Sequence, residues 1–433
     1  MPVLRSDNDS YRPGSFNAGQ SGLPASRPAC RCLNCITPPF ILKKLLESSD
    51  EGVRKAALDT LLASAQLRGE RNVRNLFGVS TVPNDGMRTI FDAGNSTNLQ
   101  SATMMRSENA APVGDASVNR AFDGLGKTRD FYKAVFNRNS IDGSGLRLNA
   151  FVHRGVKYNN AFWDGQEMVF GDGDGVIFTD FTLSLDVIAH ELTHGVTQFT
   201  ANLSYHNQSG ALNESISDVF GSLVKQWSLN QKAAAADWVI GAEVFTPGIA
   251  ADALRSMKAP GTAFDNQVFG KDPQPDHMSR YVQMADTEEG DSGGVHINSG
   301  IPNRAFYLAA TNIGGFAWEA PGHIWFESLK ASTETTEFQE FADTTYLKAG
   351  ALYGAGGVEQ KAVLSAWADV GIRVSTALAA GGGQLAQASR DADNLTALTG
   401  QIAALSAQVQ TLVNAVSALK PETKTKAKTK AKR

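Results

Sequence analysis

The chain has 433 residues, of which 42% are hydrophobic and 19% charged, as is typical of a globular protein large enough for two sizeable lobes. Its net charge of −4 is unevenly distributed: residues 420–433 carry a net charge of +6, so the remaining residues carry about −10. This balance gives no indication of nucleic-acid binding, and since no run of 18 apolar residues occurs, no transmembrane helix is expected.

The N-terminal residues limit what can be said about targeting and redox state. Residues 1–29 are polar, rich in Ser, Gly and Pro, and lack an apolar core, which excludes an ordinary secretory signal and predicts a disordered leader. Cys30, Cys32 and Cys35 lie within six residues, which is not a disulfide framework. We therefore expect either an extracellular protein exported without a classical signal peptide or a cytoplasmic one.

Residues 30–70 are predicted to form a small separate helical unit. An amphipathic pattern surrounds Leu45, and a second helix is predicted over Val53–Leu67. An ordinary N-terminal helical hairpin is the alternative. Residues 71–87 contain the turn-forming sequence Pro83-Asn84-Asp85-Gly86 and are predicted to be a linker.

Residues 88–182 show mainly β-type patterns. Short strands are predicted at Leu146–Val152 and Met168–Phe170, separated by turns that contain Gly and Asn. One helix, around Val118–Phe136, interrupts them. From Leu183 onward the patterns are mostly helical, so the expected fold class is α+β.

The sequence His190-Glu191-Leu192-Thr193-His194 has the spacing of a metal site with a catalytic carboxylate. Side chains four residues apart lie on one face of a helix, so both imidazoles can reach one ion. Zinc in catalytic sites keeps one position open for water, from which Glu191 could take a proton. Asp186 is predicted to begin the helix. A surface helix that carries these residues by chance is the alternative.

Two carboxylates about twenty residues further on extend this pattern. A helix is predicted from Asn213 through Val224, and Glu214 could supply the third zinc ligand. Asp218, one turn later on the same face, could accept the outer ring hydrogen of a ligating histidine. Taken alone, the two residues could instead form a solvated acidic face.

A third cluster lies between Asp291 and Gly300. The paired glycines in this segment permit a tight backbone that brings Asp291 near His296, and a carboxylate partner keeps an imidazole protonated. A cationic histidine is suited to stabilising the oxyanion that forms during amide hydrolysis. A structural role for a lone histidine is the alternative.

The C-terminal residues are predicted to associate chains. After a Gly-rich linker at 376–394, apolar residues recur at strict 3-4 spacing through 395–420, with leucine at every d position. This pattern favours a parallel two-stranded coiled coil and therefore a homo-oligomer. A single helix docked on the body is the alternative. Residues 421–433 alternate Lys with Thr or Ala and are predicted to be a solvated basic tail.

The motifs HELTH, GALNESISD and GGVHINSGIPNRAFYLAA resemble those of the thermolysin-like family of zinc metalloendopeptidases, and the pattern looks closest to its protealysin-like branch. The resemblance covers about residues 88–374. It implies a two-lobed α+β fold, with a β-rich lobe at 88–182 and a mainly helical lobe at 183–375 that begins with the HELTH helix. It also implies one zinc ion per chain, held by His190, His194 and Glu214.

The resemblance assigns roles to further residues. Glu191 is the implied general base. His296, oriented by Asp291, is the implied acid that stabilises the oxyanion together with Tyr205. Arg255 matches the arginine that binds a substrate carbonyl. The implied substrate-binding residues are Asn160 and Ala161, which would hold the substrate as an added strand, and the primary-pocket residues Phe178, Phe181, Val187 and Leu254.

The pattern departs from the family at its double calcium site. Only Asp186 and Asp237 remain there, which is too few oxygens for two calcium ions. Thr246 and Asp252 match another calcium loop of the family, so the resemblance leaves room for a single ion. The other positions of the double site hold residues without carboxylates: Lys225, Val239 and Ala242.

Residues 30–70 resemble the short propeptide of protealysin-like precursors, which is marked by a motif matching Pro38-Pro39-Phe40. We expect this segment to block the cleft until the enzyme itself cuts the chain between about residues 60 and 90. Docking through the Pro-Pro motif is the preferred way of blocking. The alternative is a thiolate that caps the zinc, supplied by Cys30, Cys32 or Cys35.

These features together predict a zinc-dependent neutral endopeptidase that cuts proteins or peptides before bulky hydrophobic residues. The alternative from another class is a catalytically retired, protease-like scaffold assembled by the coiled coil. That alternative needs a missing ligand or base, and none is missing. An exopeptidase would need a motif that captures a free amino terminus, and the sequence contains none that matches.

Overall fold

The computed structural model describes residues 34–76 and 85–375, whose strands form one six-stranded sheet and two small sheets. The strands of the large sheet are β1 (Asn34–Cys35), β2 (Arg88–Asp92), β3 (Thr103–Ser107), β4 (Leu148–Val152), β5 (Ala161–Trp163) and β6 (Met168–Phe170). The two small sheets consist of β7 (Val239–Ile240), β8 (Arg255–Ser256), β9 (Asp265–Asn266) and β10 (Gly270–Lys271).

Two helices lie between β1 and β2, one lies between β3 and β4, and the rest follow β6. In chain order they are α1 (Pro39–Leu45), α2 (Glu51–Leu76), α3 (Ala116–Phe136), α4 (Leu185–Gln198), α5 (Asn207–Ser228), α6 (Asp291–Asn298), α7 (Gly300–Ile313), α8 (Ala320–Ala331), α9 (Phe338–Tyr353) and α10 (Val358–Asp369). This arrangement confirms the predicted α+β class, with a β-rich lobe followed by a helical one.

The large sheet places an N-terminal strand at its edge. Its strand order is β1-β5-β6-β4-β2-β3, with β2, β4 and β6 parallel to one another and the remaining pairs antiparallel. The edge strand β1 pairs with β5, so that Asn34 lies opposite Trp163 and Cys35 opposite Phe162. A segment far away in sequence therefore completes the sheet beside the active-site helix.

Helices α4 and α5 pack closely because a glycine lies at their crossing. A Cβ atom at Gly221 would come within 2.7 Å of the Asp186 carbonyl oxygen, a distance that side chains do not tolerate. Aromatic rings fill the space beyond α5, where Phe136 stacks on Phe326 with ring centroids 4.4 Å apart. The close approach brings the polar residues of α5 to those of α4.

Several predicted boundaries differ from the observed ones. Helix α2 runs from Glu51 to Leu76 instead of Val53–Leu67, so it includes the first residues of the predicted linker. Helix α4 begins at Leu185 with Ser184 at its N-cap, and Asp186 lies inside the first turn rather than beginning the helix. The strand predicted at Leu146–Val152 begins at Leu148. The helix around Val118–Phe136 and the strand Met168–Phe170 are confirmed.

The chain divides into two compact units, Met1–Arg373 and Val374–Arg433, and every element named above belongs to the first. The predicted leader, Cys30 and Cys32, the linker at 376–394, the coiled coil at 395–420 and the basic tail lie outside the described residues. Within residues 34–76 and 85–375, no helix is long and apolar enough to cross a membrane.

Candidate active site

Helices α4 and α5 bring three potential metal ligands together in the core. His190 and His194 lie one turn apart on α4, with their Nε2 atoms 3.0 Å apart. Oxygens of Glu214, on α5, lie 3.6 Å from His190 Nε2 and 3.4 Å from His194 Nε2. In the part of the chain that the structure describes, these three form the group of His, Cys, Asp and Glu side chains arranged to hold a metal ion.

These three side chains fit a zinc ion. Burial lowers the pKa of His190 to about 4 and that of His194 to about 3, so both imidazoles are neutral, as metal ligands must be. Glu214 Oε2 is buried without a hydrogen-bond partner. A buried carboxylate beside two facing imidazoles is costly unless a cation completes the group. Cys35 does not belong to the group, so it does not cap the metal position in this structure.

Neighbouring polar groups orient both histidines. His190 Nδ1 lies 2.8 Å from Asp218 Oδ1. His194 Nδ1 lies 2.9 Å from Asn213 Oδ1 and 3.0 Å from Ser217 Oγ. Each imidazole therefore has its outer nitrogen fixed while its Nε2 points to the shared position, as metal ligation requires.

Glu191 lies beside the ligands with its carboxylate in the cleft. Its Oε2 accepts a hydrogen bond of 3.0 Å from the backbone N–H of Trp163. Burial, assisted by the charge of Glu214, raises the pKa of Glu191 well above its usual value. A carboxylate that holds a proton readily is suited to general-base catalysis followed by proton donation.

His296 and Tyr205 lie on the opposite side of the ligand group. Four consecutive residues with positive φ, from Asp291 to Gly294, turn the chain so that Asp291 Oδ1 lies 2.6 Å from His296 Nδ1. Burial opposes protonation of His296, but the carboxylates of Asp291 and Glu214 outweigh it and raise its pKa to about 9. The Tyr205 hydroxyl donates to Glu214 and lies 3.1 Å from His296 Nε2. The two side chains can thus direct hydrogen bonds at one oxygen.

Arg255 is held rigidly by Asp218. Its Nε and Nη2 atoms each donate a hydrogen bond of 2.8 Å to that carboxylate, which also accepts one of 2.8 Å from Asn303 Nδ2. Asp218 therefore contacts both His190 and Arg255, and it couples the orientation of a ligand to that of a cationic hydrogen-bond donor.

The N-terminal segment lies in the cleft between these groups. The Ile36 N–H donates to the Ala161 carbonyl oxygen at 3.2 Å, and the Thr37 N–H donates to Asn160 Oδ1 at 2.9 Å. Arg255 Nη1 donates to the Ile36 carbonyl oxygen at 3.1 Å, and His296 Nε2 lies 3.0 Å from the Cys35 carbonyl oxygen. A peptide strand thus already occupies the predicted substrate-binding groups.

The hydrogen bonds come from Cys35–Thr37 rather than from Pro38-Pro39-Phe40. Pro38 and Pro39 lack an N–H, and they instead form the N-cap and first residue of α1. The predicted docking motif therefore follows the strand in the cleft and starts the next helix.

The predicted pocket residues lie in the core of the protein. Phe178, Phe181, Val187 and Leu254 expose at most 1% of their surface, and Leu254 precedes Arg255 directly. A cavity of about 500 Å³ borders the docked strand. Its lining includes Cys35, Asn160, Tyr205, His296 and the loop from Asp286 to Ser292.

The calcium positions are occupied by other interactions. Lys225 Nζ lies 3.0 Å from Asp186 Oδ2 and 2.9 Å from Asp237 Oδ2. Burial opposes the charge of Lys225, but Asp186 outweighs it and raises the lysine's pKa above its usual value. An ammonium group thus replaces the cation between the two carboxylates. At the other predicted calcium loop, the Thr246 hydroxyl donates to the Val176 carbonyl oxygen, and Asp252 is exposed.

Sequence reasoning missed several residues that support the site. Asn213 and Ser217, which contact His194, flank Glu214 within the same motif, so their helical spacing was a usable signal. Asn303 lies in the GIPNRAFY stretch that follows His296, but nothing local links it to Asp218, 85 residues away. The contribution of the Trp163 backbone could not be seen in any side-chain pattern.

Comparisons with known proteins agree with this geometry. Residues 72–198 match the family model for the thermolysin metallopeptidase catalytic domain, and residues 201–372 match the model for its alpha-helical domain. An extracellular metalloprotease of Pectobacterium carotovorum subsp. carotovorum is 45% identical over 351 residues, which are 81% of this chain and 98% of the relative. Protease PrtS of Photorhabdus sp. (strain Az29) is 44% identical over 346 residues, 78% of this chain and 92% of that protein.

A solved structure extends the comparison to the precursor form. The precursor of protealysin, a metalloproteinase from Serratia proteamaculans, superposes with a TM-score of 0.70 at 46% identity and covers 78% of this chain and 99% of its own. The similarity therefore includes the fold and a precursor segment, and the family models place the catalytic domain before the alpha-helical domain. The chain belongs to the thermolysin family of zinc-dependent metalloendopeptidases, on its protealysin-like branch.

Proposed function

We propose that this protein is a zinc endopeptidase precursor whose residues 34–76 occupy its own substrate cleft until they are removed. The observation that carries the proposal is the position of Cys35–Thr37 in the cleft. The backbone of these three residues forms hydrogen bonds with four of the predicted substrate-binding and oxyanion groups: Ala161, Asn160, Arg255 and His296. Antiparallel addition of a peptide to the edge of a sheet is a common way of binding extended substrates. The same groups would bind a substrate strand once the segment has left.

His190, His194 and Glu214 are the residues that would hold the zinc ion, which when bound supplies Lewis acidity and an activated water. Glu191 accepts the proton of the attacking water and passes it to the leaving amide nitrogen. His296 and Tyr205 donate hydrogen bonds to the oxygen that becomes negative. Asp218 and Asp291 keep Arg255 and His296 charged and correctly oriented.

The buried apolar group Phe178, Phe181, Val187 and Leu254 supports a preference for bulky hydrophobic residues just after the scissile bond. A retired scaffold would lack a ligand, a base or an oxyanion donor, and all of them are present. An exopeptidase would need a fixed carboxylate or other group that captures a free terminus, whereas here the cleft binds the interior of a strand.

The test of this mechanism is a comparison of wild type with Glu191→Gln, both freed of the N-terminal segment. Removal of the general base should lower hydrolysis of casein by about 10²–10⁴-fold while zinc stays bound at one ion per chain. Treatment of wild type with a zinc chelator should abolish hydrolysis, and added zinc should restore it. A zinc-loaded Glu191→Gln protein with near-normal hydrolysis would refute the role of Glu191.

Removal of the segment is proposed to be self-processing between about residues 60 and 90. Helix α2 extends to Leu76, so a cut beyond it separates the whole helical unit from the catalytic lobes. Mass spectrometry of wild type and Glu191→Gln, expressed without other proteases, should show a shortened N-terminus in the wild type alone. Identical N-termini would count against self-processing.

Three finer features remain part of this proposal. Location outside the cell is supported by the name of the Pectobacterium relative, and fractionation of the producing cells tests it. A single calcium ion near Thr246 and Asp252 is tested by equilibrium dialysis with calcium. Assembly through residues 395–420, with the Lys-rich tail beyond it, is supported by the heptad pattern and is tested below.

A further inference from the structure

The strand in the cleft has the chain direction and the register that a bound substrate would have. Two successive carbonyl groups of the segment meet two different cationic donors: the Cys35 oxygen lies at His296 Nε2, and the Ile36 oxygen at Arg255 Nη1. On the proposed function, His296 stabilises the oxygen of the scissile carbonyl, and Arg255 binds the next carbonyl along the chain. This order places the bond between Cys35 and Ile36 at the reacting position.

The leaving nitrogen is positioned as well. The Ile36 N–H donates a hydrogen bond of 3.2 Å to the Ala161 carbonyl oxygen. Glu191, which would protonate a leaving amide, accepts a hydrogen bond from the backbone N–H of Trp163, the residue opposite Asn34 in the neighbouring strand. The following amide, that of Thr37, is fixed by Asn160 Oδ1 at 2.9 Å.

The side chains agree with this register. Successive side chains of a strand point to opposite faces, so a shift by one residue would exchange the environments of Cys35 and Ile36. Ile36 is fully buried, and it is the bulky hydrophobic residue that the proposed specificity requires after the scissile bond. The cavity of about 500 Å³ beside Cys35 gives the N-terminal product space to separate.

We propose that the peptide bond between Cys35 and Ile36 is itself a cleavage site of this enzyme, cut within the same molecule while residues 34–76 are docked. Hydrolysis adds the hydroxyl of water to the Cys35 carbonyl carbon and a proton to the Ile36 nitrogen. The products are a fragment that ends in the Cys35 carboxylate and a chain that begins with the Ile36 amine. The inhibitory segment is thus a substrate held in place, distinct from the cut beyond α2. This inference rests on the proposed function.

The experiment follows the full chain by intact mass spectrometry and N-terminal sequencing after zinc loading. Wild type should yield the chain beginning at Ile36 with a first-order rate that does not depend on protein concentration. Glu191→Gln should slow this cut by about 10²–10⁴-fold. Ile36→Pro, which removes the N–H, should abolish it, whereas the matched variant Ile36→Leu should retain it.

Casein hydrolysis, measured in the same samples and in Ile36→Asp, separates this inference from the proposed function. A charged residue at position 36 should disfavour docking and so expose the cleft. If casein is hydrolysed but no terminus at Ile36 forms while other cuts do, the inference is refuted and the proposed function stands. A cut whose rate rises with protein concentration would also refute cleavage in place. If neither wild type nor Ile36→Asp hydrolyses casein, the proposed function itself fails.

Discussion

Lys225 places a positive charge between two carboxylates at the start of the active-site helix. Its Nζ contacts Asp186, which is fully buried, and Asp237, which is half exposed. Asp186 has further donors in the Ser184 hydroxyl at 2.8 Å and the Gly241 N–H at 3.2 Å. The ammonium thus takes the place of a bound cation, and it neutralises a carboxylate one turn before His190, the first of the proposed zinc ligands.

We predict that Lys225→Met destabilises the protein by about 3 kcal/mol, because removal of one partner of a buried ion pair leaves the other charge uncompensated. The measurement is the free energy of unfolding in urea, in a Glu191→Gln background that prevents autolysis. Lys330→Met is the matched control, since it removes an exposed pair with Glu327 and should cost less than about 1 kcal/mol. Equal effects of the two substitutions would show that Lys225 does not act as an internal counterion.

The metal ligands could be predicted from sequence because the geometry that unites them is local. His190 and His194 are one helical turn apart, and Glu214 and Asp218 repeat that spacing on α5. Lys225 was visible only as a missing calcium ligand. Its role as a cation depends on Asp186 and Asp237, which approach it only after α4, α5 and the loop before β7 have packed. The contact of Lys225 with Asp186 and Asp237 therefore cannot be predicted from residue spacing in the sequence.

His153 joins the beginning of α3 to the loop that follows β6. Its Nε2 lies 2.8 Å from Asp115 Oδ2 and its Nδ1 lies 2.8 Å from Asp172 Oδ1. Asp115 also caps α3 by accepting hydrogen bonds from the backbone of Ser117 and Val118. The hydrogen bond that the His153 ring donates to the Asp172 carboxylate is the largest of the effects that raise the pKa of His153 to about 9.

This linkage predicts a loss of stability in alkaline solution. The folded-state pKa of about 9 exceeds the unfolded value near 6.5, so the contribution is fully present below about pH 6.5 and disappears as pH rises through about 9. The free energy of unfolding of the Glu191→Gln protein should fall across this window. His153→Gln should lessen the fall, because the pKa of His296 is also about 9, and Asp172→Asn should shift the part due to His153 to lower pH. An unchanged pH profile in both variants would contradict the assignment to His153.

The ends of elements and the contacts between distant elements could not be predicted from sequence patterns. The helical pattern of residues 53–67 predicted α2 but not its extension to Leu76, since polar residues near the end of a helix give no periodic signal. The Pro-Pro motif correctly located the segment that docks, but the hydrogen bonds come from the three residues before Pro38. Contacts such as that between Cys35 and His296 join residues 261 positions apart, and only the folded chain brings them together.

The whole molecule is expected to be an oligomer through residues 395–420, which lie outside the described residues. Eight consecutive a and d positions are apolar. They form a narrow apolar stripe along one side of the predicted helix, and a partner helix would bury such a stripe best. The neighbouring e and g residues carry almost no charge, so a parallel dimer is expected first and a trimer next. The glycines at 381–383 should let the catalytic units act independently of the association.

Light scattering on the Glu191→Gln protein at micromolar concentration measures this association. Full-length protein should have about twice the mass of one chain, and a chain that ends at residue 380 should be monomeric. Leu405→Asn, at a d position, should weaken the dimer because it places a polar group in the apolar stripe, whereas Ser406→Asn, at the adjacent e position, should not. In active protein, truncation should leave casein hydrolysis per zinc site unchanged. A full-length monomer would mean that these residues form a single helix without a partner chain.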